Sequence, residues 1–112
     1  MKDIKIGSFY YGKVYSKYNN HLYNDKAFKV RPILIIDQAK NNFYKCLGLT
    51  SLLKDGKNIT NTRLDYLINN KHSQIICDKI ILINKNNIYN FITECNNEDF
   101  NYILNRVKEY QV

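Results

Sequence analysis

Apolar and polar positions along the chain sort into short runs of strand length, followed at the end by one stretch of helical spacing. Phe9 to Ser16 is aromatic and β-branched, which predicts a strand. Lys17 to Lys29 is polar, Asn-rich and without periodicity; it predicts a long loop, of the kind that often carries function. Val30 to Gln38 (VRPILIIDQ) has a continuously apolar centre, expected of a strand buried on both faces. Pro32 cannot donate a ladder hydrogen bond, so it is expected near the strand's start or on an edge. Phe43 to Thr50 (FYKCLGLT) follows after a short turn, Ala39 to Asn42, and predicts an antiparallel hairpin. Ser51 to Thr62 contains a turn at Asp55-Gly56, and Arg63 to Ile68 reads equally as a strand or a helical turn. Gln74 to Ile83 (QIICDKIILI) predicts a strand, and Asn84 to Tyr89 one helical turn. In the last segment Asn97 is the expected N-cap, with Glu98 and Asp99 in the positive first turn and Arg106 and Lys108 in the negative last turn. Phe100, Ile103, Leu104 and Val107 form one apolar face that should pack on the sheet. Strands first and a helix last predict a mainly β (α+β) fold, a small curled sheet or barrel capped by one helix.

The length of 112 residues suits one domain, 1–112, with room for a core that needs no metal or disulfide. Four glycines and one proline argue against a disordered linker, and the abundance of Asn reads as a genome-composition bias. The three cysteines, Cys46, Cys77 and Cys95, are far apart and show no CxxC spacing. They fit neither a zinc site nor a disulfide framework and are expected to be buried, reduced thiols. The opening Met1 to Gly7 has no apolar stretch of signal-peptide length, and the runs Ile33 to Ile36 and Ile80 to Ile83 are far too short for a membrane span. A cytoplasmic protein with no membrane partner is expected.

Charge changes this picture. The net charge is +7, and all of it sits in residues 1–57, which hold 11 Lys and Arg against 4 Asp and Glu. Residues 58–112 hold 6 of each sign. The excess is interleaved with Tyr10, Tyr11, Tyr15, Tyr18, Tyr23, Phe28, Phe43 and Tyr44. Cations neutralise phosphates and aromatic faces stack on unpaired bases, so the combination suggests a single-stranded nucleic-acid partner. Solubilising lysines and strand-filling aromatics account for the same composition.

No phosphate-binding glycine loop, metal-ligand cluster or nucleophile elbow is present, and neither metal nor cofactor is expected. The two histidines, His21 and His72, leave a two-histidine ribonuclease open but without a supporting motif. His21 lies in the long loop, where it would donate a proton, stack on a base or have no role. The remaining chemistry lies in the second hairpin. Arg31 begins one strand and Thr50-Ser51 ends the next, so antiparallel pairing should bring them to one edge of the sheet. A guanidinium beside hydroxyl and backbone donors makes a phosphate cradle, and its planar fork binds two phosphate oxygens. Singly, each has an ordinary explanation: a surface ion pair for the arginine, a turn for Thr-Ser.

The run Lys29-Val30-Arg31-Pro32-Ile33-Leu34-Ile35-Ile36, followed by Leu47-Gly48-Leu49-Thr50-Ser51, resembles the Arg-Pro strand and Thr-Ser strand end of the MazF/PemK toxins. Ile6-Gly7 before the aromatic strand, the later strand Ser73 to Ile80 and the closing Asn97-Glu98-Asp99-Phe100 helix are similar too, in the same order. The resemblance implies an SH3-like barrel, a homodimer and a cognate antitoxin, protein or RNA. It also implies metal-independent endoribonuclease cleavage of single-stranded RNA, in which the 2′-hydroxyl attacks its own phosphate. Arg31, stabilising the charge on phosphorus or taking part in proton transfer, and Thr50, positioning the phosphate, would be the catalytic pair, Ser51 a helper, and Lys29, Lys13, Tyr11 and His21 candidates for holding RNA. The loop Ser16 to Asp25 departs from the family's usual Gly-Ser-Glu segment, and Thr93 stands where a glycine is common. The same groove would also suit a non-catalytic SH3-like module that binds RNA or a peptide.

Overall fold

The computed structural model describes residues 3–15, 28–51 and 62–110. Within them, antiparallel strands β1 (Ser8–Tyr15), β2 (Phe28–Gln38), β3 (Phe43–Ser51), β4 (Arg63–Ile68), β5 (Lys71–Asn84) and β6 (Ile88–Glu94) form one sheet in the order β4-β5-β3-β2-β1-β6. Helix α1 (Asn97–Glu109) follows β6. The sheet curls into a half-barrel, the mainly β barrel-and-helix architecture expected from the order of elements.

Successive strand residues point to opposite faces, and β2 serves both. Leu34 and Ile36 join Phe9, Leu47, Leu49, Ile75 and Cys77 beneath α1, which contributes Ile103 and Val107. Ile33 and Ile35 join Tyr10, Tyr44, Cys46, Ile83 and Ile88 on the other face. A strand packed on both sides has no position left for water, so Ile33–Ile36 is apolar without a break. Burying each of the four contributes roughly 1.5–3 kcal/mol.

Pro32 lies inside β2 rather than at its start. It faces Tyr11 of β1, while the β2–β3 register begins only at Ile33–Gly48, so the missing amide hydrogen falls outside that ladder. Strand β2 also starts earlier than expected, because Phe28 and Lys29 pair with Tyr15 and Val14. The rest of the expected loop from Lys17, and the turn at Asp55-Gly56, lie outside the described residues. Arg63 to Ile68 is a strand.

Two hairpins close through asparagine pairs in the left-handed region: Asn41 and Asn42 at φ 56° and 66°, and Asn69 and Asn70 at φ 48° and 68°. Asparagine enters this region more readily than most residues, which gives part of the Asn-rich composition a conformational use. A one-turn 3-10 helix, Lys85–Asn87, occupies the expected helical turn, and the Asn84 side chain accepts from the Asn86 amide at 2.9 Å. The strand β6 after it was not expected: the helical turn was expected to run to Tyr89, and Asn90 interrupts the few residues left before the helix. It pairs with β1 through two register shifts, and Phe91 meets Tyr10 edge-to-face at 5.5 Å.

The helix cap is Asn96, one residue before the expected position. Its side-chain oxygen accepts from the Asp99 amide at 2.8 Å. The Tyr66 hydroxyl donates to Asp99 at 2.9 Å and its ring stacks on Phe9 at 5.5 Å, tying the helix start to β4 and β1. All three cysteines are buried and free. Among the described residues no helix is long and apolar enough to cross a membrane.

Candidate nucleic-acid interface

Arg31 stands on β2 opposite Gly12 of β1; Thr50 stands on β3 opposite Gln74 of β5, which in turn faces Asp65 of β4. The β2–β3 ladder ends at Ile33–Gly48, and Arg31 and Thr50 each lie two residues beyond that pair on their own strands. Alternation puts both on the Ile33 and Cys46 side, away from α1. Two paired groups therefore lie on one face of the sheet, Gly12 with Arg31, and Thr50 with Gln74 and Asp65, on either side of the point where the β2–β3 ladder ends.

Each member has a local reason. A side chain at Gly12 would begin 2.5 Å from the Ile33 Cδ1 methyl, so glycine lets Ile33 fill that space next to Arg31. Gln74 is 2% exposed, and its Nε2 donates to the Asp65 carboxylate at 3.2 Å. An amide buried without such a bond would cost about 1–3 kcal/mol, so the pair is set together. Arg31 is half-buried, and its guanidinium has no ion-pair or hydrogen-bond partner among the described residues. A partly desolvated guanidinium lacking a carboxylate partner attracts an anion with two acceptor oxygens, as a phosphate has.

The neighbouring rows add charge to the same face. Lys29 lies two residues before Arg31 on β2 and is exposed. His72 lies two residues before Gln74 on β5, exposed and paired with Leu67, while Arg63 on β4 pairs with Ile76. The Ile76 Cδ1 lies 4.0 Å from where a Gly48 side chain would begin, which ties this part of β5 to the same face of β3.

Other expected binders fall elsewhere. Tyr11 and Lys13 alternate with Gly12, so they occupy the opposite face and do not join Arg31. The Lys13 ammonium instead sits 3.7 Å over the ring of Phe28. Ser51 ends β3, paired with Ser73, and His21 lies outside the described residues. The hairpin that holds Arg31 and Thr50 was legible in the sequence, whereas the Gln74–Asp65 pair was not. The signal that could have found it is the Asn69-Asn70 pair: a two-residue turn there fixes the register that sets Asp65 against Gln74.

The family model described as PemK-like, MazF-like toxin of type II toxin–antitoxin system matches residues 14–110. The chain belongs to this family. As a PemK/MazF-like toxin, it carries Lys29, Arg31, Thr50, Ser51, His72 and Gln74 inside the matched span, with Tyr11 and Lys13 before it. No curated protein matches the chain.

Proposed function

We propose that this PemK/MazF-like toxin is an endoribonuclease that cleaves single-stranded RNA without a metal, leaving a 2′,3′-cyclic phosphate and a 5′-hydroxyl. The observation that carries the reading is the half-buried Arg31, without a counter-ion among the described residues and on the same face of the sheet as Thr50, each two residues beyond the Ile33–Gly48 pair. In this reading the scissile phosphate lies between them. Arg31 binds the non-bridging oxygens and stabilises the charge that grows on them as the 2′-oxygen attacks phosphorus. Thr50 orients the phosphate, and Lys29 holds a neighbouring phosphate. A preorganised donor of this kind contributes about 100- to 1,000-fold in rate. A homodimer, a cytoplasmic location and a protein antitoxin complete the proposal. An acidic antitoxin segment suits the basic face electrostatically, and the type II description of the family fits a protein partner.

The test is cleavage of a labelled single-stranded RNA in excess EDTA by the wild type and by Arg31→Ala. Cleavage by the wild type, a loss of at least about 100-fold in the variant and an unchanged melting temperature are expected. Strict dependence on added metal would refute the proposed mechanism. Binding of RNA without cleavage would favour a non-catalytic binding module.

A further inference from the structure

Transesterification of RNA requires the 2′-hydroxyl to lose a proton and the 5′-oxygen to gain one. A guanidinium keeps its proton in proteins, and a threonine hydroxyl is a poor base near neutrality. Arg31 and Thr50 can therefore hold the phosphate but leave the proton acceptor unassigned.

The imidazole is the side chain whose ordinary range of charge change spans about pH 5 to 8. His72 presents one on this face. It is exposed, and its position is set tightly: it pairs with Leu67 directly after the two-residue Asn69-Asn70 turn, where Ile68 pairs with Lys71. It lies two residues from Gln74, the register partner of Thr50. Diagonal neighbours of this kind are about 7–8 Å apart, a separation that one ribose and its phosphodiester can span. Between His72 and Thr50, Gln74 is buried and its amide is held by Asp65.

We propose that His72 is a further catalytic residue of this site, whose imidazole accepts the 2′-hydroxyl proton of an RNA whose phosphate is held by Arg31 and Thr50. The inference rests on the nuclease reading above. The 2′-oxygen forms its bond to phosphorus, the P–O5′ bond breaks, and one ring nitrogen of His72 takes the 2′-proton. The imidazolium then returns a proton through solvent to the 5′-oxygen, so the net change is cyclic phosphate and a 5′-hydroxyl.

The charged groups sharing this face are Lys29 and Arg31 on β2, Arg63 and Asp65 on β4, and Asp78 further along β5; Leu67 faces His72 directly. Asp65 is engaged by Gln74. Asp78 lies in the stretch where β5 loses its register with β3, between the Leu47–Ile80 and Leu49–Ile75 pairs, so its place relative to Thr50 is not set by the ladder. Carboxylates are also weaker bases than imidazole near neutral pH.

The experiment compares wild type, His72→Ala, His72→Gln and Arg31→Ala on one single-stranded RNA across pH 5–9. For both His72 variants kcat should fall about 100-fold or more, with KM within about threefold and the neutral limb of the pH profile flattened. Added imidazole should restore part of the rate to His72→Ala. Binding of a 2′-O-methyl RNA should be unchanged in both variants, because the phosphate contacts remain. Wild-type kcat with an unchanged pH profile in either variant overturns the assignment while leaving the nuclease reading intact if Arg31→Ala is inactive. A rise in KM at constant kcat assigns His72 to binding and overturns it as well. A wild type that cleaves no RNA overturns both readings together.

Discussion

Arg31 is half-buried with no carboxylate partner among the described residues, which favours an anion from outside the fold. Lysine would not reproduce the two-oxygen grip of its planar fork. The thiols show the opposite behaviour, since burial drives them away from reactivity. It pushes Cys46 up to about 12 and, despite some opposing pull from the Arg106 charge, Cys77 up to about 11. Tyr66 is also raised, first by burial and then by its bonds to Cys95 and Asp99. These groups stay neutral in the folded chain while their unfolded counterparts ionise from about pH 9 upward. The unfolded state then binds fewer protons, so stability should fall as pH rises from about 9 toward 12. Urea unfolding at pH 7.5 and at pH 10.5 should give a lower midpoint at the higher value; equal midpoints would remove burial as the cause. Arg31 and Thr50 could be singled out from the residues themselves because a hairpin relates them locally. Gln74 and Asp65 could not, because neither residue type announces burial and Asp65 lay in a segment that read as strand or helix.

Hairpins and caps carry the geometry of the site. The Asn69-Asn70 turn sets β4 against β5, and with that register come the Gln74–Asp65 bond and the position of His72. On the opposite face of the sheet, Asn96 caps α1 and Tyr66 holds Asp99, so the helix start is fixed to β4. Replacing Asn96 by alanine should cost about 1 kcal/mol and lower the melting temperature by about 4–8 °C, whereas Asn96→Asp or Asn96→Ser should recover most of it. Differential scanning calorimetry of the three variants checks this. The strands β2 and β3 were legible because their apolar runs are dense and bounded by polar turns. β6 was not, since it is short, follows directly on a helical turn and carries Asn90 at its middle, and only pairing with β1 makes it a strand. The shift of the cap from Asn97 to Asn96 has a similar origin: adjacent asparagines cap equally well, and the direction in which the chain leaves β6 selects between them.

The positive charge of the first half of the chain reaches the folded surface on both faces of the sheet. Lys29 and Arg31 lie with Thr50, while Lys13 and Tyr11 lie on the other side. If Lys29 contacts a phosphate of bound single-stranded RNA, Lys29→Ala should reduce the salt dependence of binding by about 0.7 in log–log slope, the share of one phosphate contact. Binding of a 2′-O-methyl RNA between 50 and 300 mM salt measures it, and an unchanged slope removes Lys29 from the interface. The linear order of apolar runs, the turn residues, the amphipathic last segment and the Arg-Pro and Thr-Ser strand ends were enough to determine a curled antiparallel sheet with one helix and membership of a toxin family. Those features are local, and they depend on periodicity and on residues near one another in the chain. Only the tertiary structure decided which cations share a face with Arg31, what lies beside Thr50 on its far side, and that β6 closes the β1 edge. A one-residue step along a strand reverses the face of a side chain, so such choices are made by register between strands distant in sequence.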